Sequence, residues 1–145
     1  MTKSNILVCV TQQKNCERLI LHAAEIKNKL KADELHVIHV AKTNWNFLNN
    51  IKEGEAIEYL FSISKSLGAN LMVLKSDDIE KTIADYAKKN SISYIIIGAS
   101  PNNIIENNFY KVLKKLLKNI DIHVEANWQE EIDLIGYISL NFIYF

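Results

Sequence analysis

Few side chains in this sequence are suited to chemistry: two cysteines, four histidines and a stripe of lysines. Cys16 falls near the start of an expected helix, where the N-terminal dipole lowers a thiol pKa. It also shares an apolar stripe with Leu19, Ile20, Ala23, Ala24 and Leu30, which favours a core role. Cys9, inside Ile6-Leu7-Val8-Cys9-Val10, reads as core. Two cysteines make neither a disulfide framework nor a zinc knuckle. His36 and His39 stand three apart on a strand and so face opposite sides of the sheet. His22 and His123 have no ligand partner nearby in sequence, so no metal site is expected. Neither a Ser-His-Asp nor a Cys-His arrangement can be assembled, nor a pair of carboxylates at a shared site. No catalytic residue is assigned, and the chain is not expected to be an enzyme.

Two further groups invite a binding role. Lys111, Lys114, Lys115 and Lys118 repeat at three and four residues, on one face of a helix. Such a stripe reads first as a solvated face opposite the core, and second as a dock for an acidic partner or an anionic surface. Trp45 and Phe47 lie in an Asn-rich loop, where aromatics usually pin the loop to the domain and otherwise stack on a base. The 17 basic and 17 acidic groups balance, which argues against nucleic-acid binding through bulk charge. With four glycines and one proline, neither a P-loop nor a GxGxxG loop is present.

Positioning these residues falls to short apolar runs alternating with helical periods, in a chain of 145 residues that is 48% apolar. Strands are expected at Ile6–Val10, Glu34–Val40, Leu71–Leu74, Tyr94–Ile97 and Ile122–Val124. Helices are expected from about Asn15 to Leu30, Gly54 to Leu67, Asp77 to Asn90, and from Asn108 onward. The second should face inward through Ile57, Leu60, Phe61, Ser64 and Leu67, with Gly68 as its left-handed cap. Asp77 with Glu80 resembles a capping box for the third. The fourth should face inward through Phe109, Val112, Leu113, Leu116, Leu117 and Ile120. This βαβ succession predicts an α/β fold: an open five-stranded parallel sheet, order 3-2-1-4-5, with helices on both faces, Rossmann-like. Residues 1–125 would form that domain and residues 126–145 an apolar C-terminal extension.

In the extension, Ile138, Leu140, Phe142 and Tyr144 alternate with Ser139 and Asn141, the period of an extra strand that should pair with the sheet or a second chain. The rival reading is the start of a membrane segment of a longer sensor. The apolar run Leu134–Phe145 is 12 residues, against roughly 20 needed to span a bilayer, so no direct membrane insertion is expected. Met1 to Asn5 leads straight into a strand without a signal-peptide core, which predicts a cytoplasmic domain.

Ligands of such sheets bind beyond the carboxyl ends of the strands, where the strand order reverses. Here that is between the first and fourth strands. The expected rim is Thr11, Gln12, Gln13, Val40, Gly98 and Ser100: amides and hydroxyls, with no fixed cation and no carboxylate.

Asn5–Val10 followed by a helix, the His39-Val40 strand end, and above all Asp78 through Gly98 resemble the universal stress protein family. The likeness covers roughly Asn5 to Val124 and is strongest over Ile83–Gly98, a helix carrying Tyr86-Ala87 and then an apolar strand ending in glycine. It implies the same five-stranded fold, a homodimer, and a family divided into ATP-binding and non-binding members. Val8-Cys9-Val10, Leu19-Ile20 and Asn108-Phe109 are similar to a subgroup found in Kdp-type potassium-sensor histidine kinases. That likeness implies a signalling partner such as a histidine kinase.

The departures bear on the ligand. ATP-binding members carry Asp at the end of strand one, where this chain has Thr11. Their phosphate loop reads Gly-x-x-Gly, nine residues, then Gly with Ser or Thr. Gly98 matches the first glycine, Pro101 replaces the second, and Asn108-Phe109 replace the Gly-Ser pair after a loop about three residues shorter. Proline also lacks the N–H that an anion cradle uses. ATP is therefore not expected as a cofactor, and no other is implied. Some Kdp-type domains are associated with cyclic-dinucleotide sensing. Thr11-Gln12-Gln13 and Glu34–Ile38 match that pattern in position but poorly in residue type. The function expected is a non-catalytic regulatory domain, linked to potassium or osmotic sensing. The alternatives are a sensor of a nucleotide or cyclic dinucleotide and, disfavoured, an ATP-hydrolysing stress protein.

Overall fold

The computed structural model describes residues 3–10, 16–43, 51–99 and 108–126. In chain order these form β1 (Asn5–Cys9), α1 (Cys16–Leu30), β2 (Leu35–Ala41), α2 (Ile51–Ser66), β3 (Asn70–Lys75), α3 (Ile79–Lys89), β4 (Ile92–Ala99), α4 (Asn108–Leu116) and β5 (Asp121–Ala126). The strands form one five-stranded sheet in the order β3-β2-β1-β4-β5. Every pairing is parallel, with Val8 opposite both Val37 and Ile96 at the centre. The expected fold class is the observed one.

Central strands are apolar on both faces because both faces are covered. Ile6, Val8, Leu35, Val37 and Ile96 pack with Ile20 and Ala23 of α1 and Leu60 of α2. Leu7, Ile38, Ile95 and Ile97 pack on the other side with Ile83, Ala84 and Ala87 of α3 and Leu113 of α4. Alternate residues of one strand thus feed two separate cores.

Several expected inner-face residues lie outside these cores. Leu30 is exposed at the end of α1, and Phe61, Val112 and Leu116 are also exposed. Leu60 and Leu113 occupy the buried seams instead. Phe61 and Val112 each sit one residue away from such a seam, about 100° around the helix. Phe61 instead lines a groove of about 580 Å³ with Ile57, Leu71 and Val73 beside the edge strand β3. α2 begins earlier than expected, so Gly54 lies within it and the loop after β2 is shorter. Trp45, Phe47, and the C-terminal extension with its expected extra strand lie outside the described residues. No helix among the described residues is long and apolar enough to cross a membrane.

Helix ends follow the sequence with one shift. Asp78, not Asp77, caps α3: its carboxylate accepts from the Lys81 N–H at 3.2 Å. Asp78 is the residue whose backbone is still non-helical, at φ −111° and ψ 86°, so its side chain faces the free N–H groups. Gly68 takes φ +68°, and the Gly68 and Ala69 N–H groups bond to the Lys65 and Ser64 carbonyls. α1 closes in the same way, Lys31 and Ala32 bonding to Asn28 and Lys27, but with Lys31 at φ +54°.

Candidate functional site

β1 and β4 run side by side to their carboxyl ends, Cys9 opposite Ile97, and so make the reversal point of the sheet. Of the expected rim, Val40 and Gly98 are described. Thr11, Gln12, Gln13 and Ser100 lie outside the described residues, as does Pro101. Val40 is half-buried and packs against the α3/α4 core.

Gly98 is exposed and does not adopt the left-handed conformation. A Cβ there would lie 3.2 Å from Leu19 Cδ2. A side chain at this position would therefore need Leu19 to shift by a few tenths of an ångström.

His39 ties the floor of the crevice together. Its side chain is buried, with Nδ1 3.0 Å from the Val10 carbonyl oxygen. A carbonyl only accepts, so Nδ1 carries the proton and donates. This bond joins the end of β2 to the end of β1, beside the backbone bond from Val10 N–H to the Ile38 carbonyl at 2.9 Å. Cys9 is half-buried, and desolvation pushes its thiol up to about 12, which leaves it unreactive.

The carboxyl end of the sheet is more acidic than expected. Asp77 accepts from the Thr43 hydroxyl at 2.7 Å and from the Thr43 N–H at 3.3 Å. These bonds, with Lys42 nearby, hold the Asp77 carboxyl below the ordinary carboxylate value. They also join the segment after β2 to the segment after β3.

On the other flank, Glu125 of β5 lies directly opposite Gly98. This register places β5, with a carboxylate, next to the end of β4 on the side away from β1.

Glu125 also gathers two histidines. Its Oε2 lies 3.0 Å from His22 Nε2 and 2.6 Å from His123 Nε2. His123 and Glu125 are two apart on β5 and so share a face, on the same side of the sheet as α1. His22 comes from α1. The Tyr94 ring stacks on His123 with centroids 6.3 Å apart. Burial, with Asp121 and Glu125 nearby, raises the Tyr94 hydroxyl pKa. The sequence carried half of this cluster in the strand spacing of His123 and Glu125. The other half, His22, is far away in sequence and is supplied by the packing of α1.

The remaining histidine joins a separate polar group. His36 is buried between the Tyr86 hydroxyl, 2.6 Å from Nδ1, and Glu34 Oε1, 3.0 Å from Nε2. His36 and His39 face opposite sides of the sheet, as their spacing required.

No protein-family model and no curated protein matches the sequence. The fold is similar to that of solved universal stress proteins. One from Archaeoglobus fulgidus superposes with a TM-score of 0.62 at 21% identity, over 86% of this chain and 94% of that one. The universal stress protein from Archaeoglobus fulgidus in complex with dAMP gives 0.59 at 21% identity, over 86% of this chain and 98% of that one. A universal stress protein in complex with cAMP gives 0.61 at 10% identity, over 88% and 99%. At these identities the likeness is one of fold.

Proposed function

We propose that this chain, built on the fold of the universal stress proteins, is a non-catalytic regulatory domain whose ATP site is degenerate. The observation that carries this reading is Gly98. It is the one described residue that matches the glycines of the family's phosphate loop, and it lies close under Leu19 of α1, whose Cδ2 would be 3.2 Å from a Cβ at this position. Thr11 in place of an acidic residue and Pro101 in place of a glycine point the same way at the level of sequence. A domain of this kind acts by dimerising or docking in a signalling system, here one of potassium or osmotic sensing with a histidine kinase as the partner.

The second reading is a small-ligand sensor that holds a nucleotide or cyclic dinucleotide at the β1/β4 crevice. It is favoured by one observation: solved proteins of this fold, at similar length, are complexes with dAMP and with cAMP.

Native mass spectrometry of the gently purified chain tests both readings. The regulatory reading expects a homodimer mass with no retained nucleotide. A retained mononucleotide or cyclic dinucleotide on each subunit overturns it in favour of the sensor.

A further inference from the structure

We propose that His22, His123 and Glu125 form a binding site for a divalent transition-metal ion of the zinc class. Three potential ligand atoms, each from a different residue, converge here within 4.8 Å of one another. Two come from adjacent same-face positions on β5, and the third comes from α1, which lies on the same side of the sheet and packs on β1 and β2. The rest of the sheet holds both elements in place, so the convergence does not depend on a flexible loop.

The donor set selects the metal class. Two imidazole nitrogens and one carboxylate oxygen suit zinc, cobalt or nickel, whereas magnesium and calcium want oxygen alone. Tetrahedral zinc with bonds near 2.1 Å places its ligand atoms about 3.4 Å apart. The two nitrogens stand 3.0 Å and 2.6 Å from the carboxylate oxygen, so small side-chain rotations open the cluster to that spacing.

Without a metal the contacts are hydrogen bonds. The carboxylate accepts from both Nε2–H groups. With a metal, each ring offers its Nε2 lone pair, so that nitrogen gives up its hydrogen, by release of a proton or by a shift to the Nδ1–H tautomer.

Burial is graded in a useful way. The Glu125 side chain is 13% exposed and so is withdrawn from water, while those of His22 and His123 are 28% and 42% exposed. A cation therefore has a route in from solvent. Three protein ligands leave a fourth position for water or an exogenous anion. The site does not depend on whether the β1/β4 crevice holds a nucleotide.

The test is a zinc titration of the EDTA-treated full chain, followed by calorimetry and thermal melting, with cobalt(II) absorption to report coordination geometry. One equivalent of zinc should bind and raise the melting temperature, and cobalt should give the intense visible bands of a tetrahedral site. His123→Ala and Glu125→Gln should each weaken binding at least about tenfold, since losing even a supporting partner of a ligand costs that much. Should a variant fail to fold, histidine nitrogen NMR of the unmodified chain decides. Zinc should then move the His22 and His123 Nε2 signals and leave those of His36 and His39 in place. The proposal is overturned if zinc gives no heat and no thermal shift, the result for a carboxylate that only accepts hydrogen bonds from two rings. It is equally overturned if a folded His22→Ala/His123→Ala double variant binds zinc as the unmodified chain does.

Discussion

At the residue scale, single side chains do jobs their types only partly announce. Asp77 and Asp78 are adjacent and chemically identical, yet one ties two segments together and the other caps a helix. Which does which depends on the backbone angle at the first turn, and the sequence spacing pointed one residue too early. Asp77 carries a pH signature. Its carboxyl lies below its ordinary 3.8 in the folded protein because the Thr43 hydroxyl and N–H bond to it. A depressed folded pKa gives stabilisation that is full above the unfolded value and lost as pH falls through the folded one. Asp77→Ala should therefore lower the melting temperature at pH 7, and the gap to the unmodified chain should close as pH drops below 3.8. A gap that stays constant into acid would show that the carboxylate charge plays no part.

At the element scale, the strands were legible because a parallel strand buried on both faces has to be apolar throughout. Helix faces were less so. Phe61, Val112 and Leu116 fit an apolar period yet lie outside the cores, since one step around a helix turns a side chain from core to solvent. Helix ends offer a sharper test. Gly68 and Lys31 hold the same place in the same capping pattern, but only glycine takes positive φ without a Cβ clash. Lys31→Gly should stabilise the protein by about 1 kcal/mol in chemical denaturation. Destabilisation would mean that the Lys31 side chain contributes more than its backbone strain costs. The central strands should fail completely when charged. Ile96 is fully buried beside Val8, and an unpaired carboxylate there has no compensating partner. Ile96→Asp should abolish cooperative unfolding in circular dichroism; a retained transition would contradict the central position of β4.

At the scale of the whole molecule, topology was the most legible property and the binding site the least. The succession of elements, with the chain winding outward both ways from β1, leads to the observed order β3-β2-β1-β4-β5 and places the order's reversal between β1 and β4. The binding site's chemistry depended on long-range packing that no local spacing displays. His22 and His123 are about a hundred residues apart in sequence, and only the tertiary fold brings the His22 side chain of α1 to Glu125 beside His123. Gly98 matches one glycine of a phosphate loop in sequence, and the structure adds a close neighbour, Leu19, that the sequence does not display. The central claim is that this fold has kept the crevice of the universal stress proteins and lost the means to hold a triphosphate. Isothermal titration of the unmodified chain with magnesium-ATP tests it most directly. At best millimolar affinity, about 4 kcal/mol, is expected; micromolar binding would show that the site still holds a triphosphate.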